Sequence, residues 1–171
     1  MQNKILITGK PKSGKSTLLK KLIEAIPNKV GFVTNEILGE TGRLGFEIET
    51  HLGTKATLAH VDFQTEPKVS KYGVSIKNLE SMLPEVFDFK KSDFLHLDEI
   101  GQMELFSERF KALALRYLDS QNPCLITLTA IFDDAFIQAI KKRDDILLIE
   151  LTPENRKEKE ALITNLLKKP R

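Results

Sequence analysis

Gly9-Lys10-Pro11-Lys12-Ser13-Gly14-Lys15-Ser16 is the stretch that decides the fold. It matches G-x-x-x-x-G-K-[ST] at every fixed position. Residues 4–8 before it (KILIT) form an apolar run of strand length. After it, Leu18, Leu19, Leu22, Ile23 and Ile26 recur at helical spacing, and Pro27-Asn28 ends the pattern. Strand, glycine-bounded turn and helix follow in the order the motif needs. The glycines let the backbone curl until successive N–H groups converge on a phosphate. A helix opening near Lys15 adds the positive end of its dipole. Lys15 is expected to reach the β- and γ-phosphates, and Ser16 to offer its hydroxyl to Mg2+. Gly9, Lys10, Pro11, Lys12, Ser13, Gly14, Lys15, Ser16 and Thr17 are therefore the candidate phosphate-binding residues.

Such a loop needs an acidic partner. Residues 94–99 (FLHLDE) are an apolar run ending in Asp98 and Glu99. The carboxyl ends of parallel strands are where ligands bind in open α/β sheets. Asp98 is expected to hold Mg2+, and Glu99 to orient and deprotonate an attacking water. Thr127 and Thr129 close a third apolar run and are candidates to sense the γ-phosphate; strand propensity accounts for them equally. Arg43, Arg109, Arg116, Arg143 and Arg156 are the candidate cations for charge that develops during phosphoryl transfer. Asn155 and Arg156, in the loop after the last apolar run, are candidate base or ribose contacts. The same loop also reads as a helix start, with Thr152 as cap and Pro153 at the first helical position.

Four apolar runs stand out: residues 4–8, 94–98, 124–129 and 146–151. They are continuous rather than alternating, as in parallel strands covered on both faces. Helical patterns lie between or after them. One follows Ser75, a candidate N-cap, and contains Pro84, which is expected to kink or divide it. The alternation points to an α/β fold with a mostly parallel central sheet. Residues 30–61 depart from this, with glycine, threonine and β-formers that predict antiparallel strands turning at 39–42 and 52–54. This β-rich segment is an insertion or edge extension within one domain spanning 1–171. Residues 65–72, with Pro67, read as a loop.

Composition narrows the classes further. The chain has 171 residues, with 26 Lys+Arg against 24 Asp+Glu, so its net charge of +2 gives no strong nucleic-acid signal. No apolar stretch is long enough to span a membrane. Met1-Gln2-Asn3-Lys4 runs straight into the first strand, which leaves no room for a signal peptide. A lone cysteine, Cys124, excludes an intrachain disulfide and favours the cytoplasm. His51, His60 and His96 have no metal-ligand spacing with Cys124, and His96 is expected to pack in its strand.

The sequence resembles the small P-loop nucleoside-triphosphatases of the thermophile and cancer-related type. The likeness runs through ITGKPKSGKSTLLKKL, GFVTNE, GRLGFEIET, KYGVSIKNLE, LHLDEIGQMELFSERF and the TPENR element. Its most specific part is Asp98, Glu99, Ile100, Gly101, Met103 and Glu104, similar to the family's Asp-Glu-Ile-Gly-x-Met-Glu signature. The resemblance implies a three-layer, RecA-like P-loop fold with an antiparallel hairpin extension. It implies slow, Mg2+-dependent hydrolysis of nucleoside triphosphates with broad base tolerance, and Lys15, Ser16, Asp98 and Glu99 in the roles argued above. Arg43, Asn155 and Arg156 fall at family motif positions. Two departures stand out: the Lys-Pro-Lys-Ser run in the loop, and the absence of a basic element after Thr127. Two other readings of the same residues stay open. One is a small kinase passing the γ-phosphate to an alcohol or a nucleic-acid end; the other is a nucleotide-dependent binding module.

Overall fold

β-Branched and leucine-rich runs at both ends of the chain become neighbouring strands. In a computed structural model, residues 3–168 are described. The ends of the expected 1–171 span, residues 1–2 and 169–171, lie outside them. β1 (Lys4–Gly9) leads into α1 (Lys15–Glu24). β2 (Lys29–Gly39), β3 (Gly42–Thr50) and β4 (Lys55–His60) follow. Then come β5 (Lys68–Val69), β6 (Tyr72–Val74) and α2 (Ile76–Phe87). β7 (Phe94–Ile100), a 3-10 turn (Glu104–Phe106) and α3 (Glu108–Asp119) come next. β8 (Cys124–Thr129), α4 (Ala135–Lys141), β9 (Ile146–Glu150) and α5 (Arg156–Lys168) complete the order.

The nine strands form one sheet in the order β5-β6-β4-β3-β2-β7-β8-β1-β9. From β2 to β9 all neighbours are parallel, and from β2 outward to β5 all are antiparallel. β1 alternates between the two cores it separates. Ile5 and Ile7 pack with Leu18, Leu19 and Ile23 of α1 and with Ile163 of α5. Leu6 belongs to the core on the other face, together with Leu79 and Leu83 of α2, Phe110 and Leu113 of α3, and Ile137 of α4. Helices therefore cover both faces, the three-layer arrangement that near-continuous apolar strands require.

Of the two readings of residues 30–61, the structure shows the edge extension: β2 opens inside the parallel sheet, with Lys29 to Phe32 paired to Phe94 to Leu97. Only its outer half joins β3 in an antiparallel ribbon. Residues 65–72 are not bare loop; they hold β5 and the start of β6. Pro84 does not divide its helix, since buried Leu79, Met82, Leu83 and Val86 fasten α2 on both sides of it. The expected Ser75 cap is present, its hydroxyl accepting from Asn78 N at 3.2 Å.

Register sets the functional edge. Gly9 lies opposite Thr129, and Leu97 opposite Ile126. β1, β8 and β7 therefore end together at the carboxyl side of the sheet.

Candidate active site

The loop after β1 is shaped by backbone that few side chains tolerate. Gly14 has φ 96°, and a Cβ there would meet Arg156 Nη2 at 2.2 Å. Lys12 also lies in the left-handed region, at φ 64°. For a non-glycine residue that costs on the order of 1 kcal/mol or more. Gly14 caps α1 without a side-chain acceptor, so the N–H groups of the first turn are left for another partner. Lys15 folds back on the loop, its Nζ donating to Gly9 O at 2.8 Å and more weakly to Lys10 O at 3.4 Å. Ser13 is buried, and its hydroxyl has no partner. Lys10, Pro11, Lys12 and Thr17 are exposed.

Asp98 is the point at which separate elements meet. Its Oδ1 accepts from Ser16 Oγ at 2.8 Å and from Thr127 Oγ1 at 2.7 Å. Thr34 of β2 donates its hydroxyl to the Asp98 carbonyl, and Thr34 N lies 3.4 Å from Oδ2. α1, β8 and β2 thus converge on one buried carboxylate. The register of β7 against β8 shifts between Leu97 and Ile100, which frees these residues from regular pairing. Glu99 is half-buried. Its desolvation raises the carboxyl to about 7, opposed by the Lys15 ammonium and reinforced by Asp98.

A third carboxyl stands behind Glu99. A Cβ on Gly101 would lie 2.8 Å from Glu99 Oε1 and 3.1 Å from Glu104 Oε2, so both carboxyls lean over the open face of this glycine and a side chain there would displace them. Burial, and then the neighbouring Glu99, push Glu104 well above the usual carboxylate range.

The remaining candidates separate cleanly. Thr127 reaches the acidic pair, whereas Thr129 accepts from Ile131 N at 3.3 Å and orders the loop after β8. Asn155 spends its amide on its own loop, accepting from Thr152 N at 2.8 Å and donating to Glu150 O at 3.0 Å. Thr152 Oγ1 accepts in turn from Asn155 N at 3.3 Å, the reciprocal pair of a helix cap, and the turn over residues 153–155, which Pro153 opens, runs directly into α5 at Arg156. Arg156 does reach the phosphate loop, its Nη2 donating to Ser13 O at 3.2 Å. The other arginines are held elsewhere. Arg43 bonds Glu36 and Tyr72, and Arg143 bonds Asp119 and Asp145. Arg116 lies over Phe89, and Arg109 faces Glu80. His96 is buried among strands as expected, with Nδ1 unpartnered.

Two residues of the site escaped sequence reasoning. Thr34 carries no local signal; only the β2–β7 register brings it to Asp98. Glu104 stands in the Asp98–Glu104 signature, but its approach to Glu99 depends on the tight turn at Gly101.

A family model described as NTPase matches residues 4–164. The nucleoside-triphosphatase THEP1 of Thermotoga sp. (strain RQ2) is 38% identical over 155 residues, covering 90% of this chain and 88% of that protein. THEP1 of Aquifex aeolicus is 36% identical over 164 residues, covering 90% and 92%. The crystal structure of Aquifex aeolicus THEP1 superposes with a TM-score of 0.87, covering 97% of this chain and 99% of that one. The solution structure of a human cancer-related nucleoside triphosphatase gives 0.81 at 29% identity, covering 98% of each.

Proposed function

The chain belongs to the NTPase family, and from that premise we propose that it hydrolyses nucleoside triphosphates to diphosphate and phosphate. The observation that carries this reading is the Ser16–Asp98 hydrogen bond, which joins the phosphate loop to the acidic strand. Gly9 to Thr17 cradle the polyphosphate with backbone N–H groups and the α1 dipole. Lys15 leaves its loop carbonyls for the β- and γ-phosphates. Glu99 holds the attacking water and takes its proton. Thr127 and Thr34 fix Asp98, and Asn155 orders the turn from which Arg156 reaches the loop.

The donor set fits Mg2+. Ser16 and Asp98 offer hard oxygens at one point, and Mg2+ takes one or two protein oxygens beside substrate phosphates and water. Among the described residues no group of three His, Cys, Asp or Glu side chains could hold a metal by itself, and Mg2+ bound with its nucleotide asks for none. Bound there, Mg2+ supplies charge neutralisation at the β- and γ-phosphates.

We further propose slow turnover and broad base tolerance. The first is supported by four of the five candidate arginines being held away from the loop, which leaves Arg156 the one candidate guanidinium that reaches it. The second is supported by Asn155, a candidate base contact, spending its amide on its own loop. We place the activity in the cytoplasm, on the strength of one buried, unpaired cysteine. Among the described residues no helix is long and apolar enough to cross a membrane.

Phosphate release measured across the common nucleoside triphosphates with Mg2+ tests the reading, with Lys15→Ala as control. The parent should release phosphate from several of them and Lys15→Ala from none. Equal release by both proteins would overturn it.

A further inference from the structure

The Lys12 side chain has no task in the chemistry described so far. Among the loop residues that bear a side chain, it alone has a positive φ. Glycine would relax that backbone. Lys12 is exposed, and no hydrogen bond or ion pair ties it to any described residue. Nothing among the described residues therefore offsets the backbone cost of having lysine there. Beside it, the buried Ser13 hydroxyl is also unmet, so this part of the loop presents two polar groups that no described residue satisfies.

Phosphoryl transfer needs positive charge at the γ-phosphate oxygens. Arg43, Arg109, Arg116 and Arg143 are held by other partners. Residues 130–134, which leave the same sheet edge after β8, contain Asp133 and Asp134 and no cation. Arg156 is bonded to the loop backbone.

We propose that Lys12 contacts the γ-phosphate and meets the charge that develops there during transfer to water, which makes it a further catalytic residue. This rests on the hydrolase reading above. In the step, the water oxygen bonds to the γ-phosphorus as the bond to the β–γ bridging oxygen breaks. That oxygen keeps the electron pair and leaves on the diphosphate. The water proton passes to Glu99. Lys12 exchanges no proton; its ammonium bonds the non-bridging oxygens.

The test compares parent, Lys12→Gly and Lys12→Arg by phosphate release from ATP with Mg2+, together with Tm. Lys12→Gly should lower kcat by about 10²–10³. Its KM should stay within about threefold, because the interaction belongs to the transition state. Its Tm should hold or rise, because glycine relaxes the backbone. Lys12→Arg should keep kcat within about tenfold of the parent, since the charge is retained. Lys12→Gly turning over like the parent, or losing turnover together with Tm, would overturn the proposal. So would Lys12→Arg as slow as Lys12→Gly. A parent that releases no phosphate overturns the hydrolase reading as well; an active parent matched by Lys12→Gly overturns the Lys12 assignment alone.

Discussion

Ser16 Oγ lies 2.8 Å from Asp98 Oδ1, although 82 positions separate the two residues in the chain. The hydroxyl opens α1 and the carboxylate closes β7, and β8 between them sets the spacing. The contact makes the glycine-bounded turn and the acidic strand into one site.

Glu99→Gln should keep nucleotide binding and lose turnover. The amide retains the size of the side chain but cannot take a proton. Loss of a general base typically costs about 10²–10⁴ in rate. Single-turnover phosphate release beside calorimetric binding of a non-hydrolysable ATP analogue separates the two effects. Parental turnover would remove Glu99 from the base role.

Thr127→Val should destabilise the ligand-free protein while leaving its shape intact. Asp98 Oδ1 would lose one of its two hydroxyl donors inside a buried site. Leaving a buried acceptor short of a partner costs about 1–3 kcal/mol. Urea unfolding with an unchanged m-value would register it, and an unaltered midpoint would count against the Thr127–Asp98 bond.

The pH dependence of stability should carry the signature of His96. Desolvation lowers its imidazole to about 3 in the folded chain, against 6.5 in the unfolded one. Between those values the unfolded state binds a proton that the folded state refuses. Stability from this group is therefore full above pH 6.5 and falls as the pH drops toward 3, by at most about 1.4 kcal/mol per unit. Glu99 has the opposite sign. Its folded carboxyl keeps the proton to about 7, so its contribution is full below 4.5 and is lost as pH rises through 7. Taking the difference between parent and His96→Phe cancels the Glu99 effect. That difference should be flat above pH 6.5 and slope below it; a flat difference across the range would contradict the burial argument.

The parallel half of the sheet was legible because its strands are near-continuous apolar runs, and the turn between β1 and α1 because its spacing is rigid. The outer half was harder. Lys29 to Gly39 is one strand with two kinds of neighbour, and nothing in its residues marks the change at Phe32. α2 crosses Pro84 because tertiary burial outweighs one missing N–H. In the candidate site, Asp98 and Glu99 could be found from a strand ending in acids. Thr34 could not, since its place depends on register with a strand more than sixty positions away. Asn155 showed its residue type but not its direction, and its amide turned inward to the loop.

The most direct measurement of the central claim is a calorimetric cycle with a non-hydrolysable ATP analogue, with and without Mg2+, on the parent, Ser16→Ala, Asp98→Asn and the double variant. Mg2+ should tighten binding to the parent. Each single change should remove most of that gain, and the double change should remove little more, because both oxygens serve one ion. Additive losses, or a parent whose affinity ignores Mg2+, would show that the loop and the acidic strand do not act as one site.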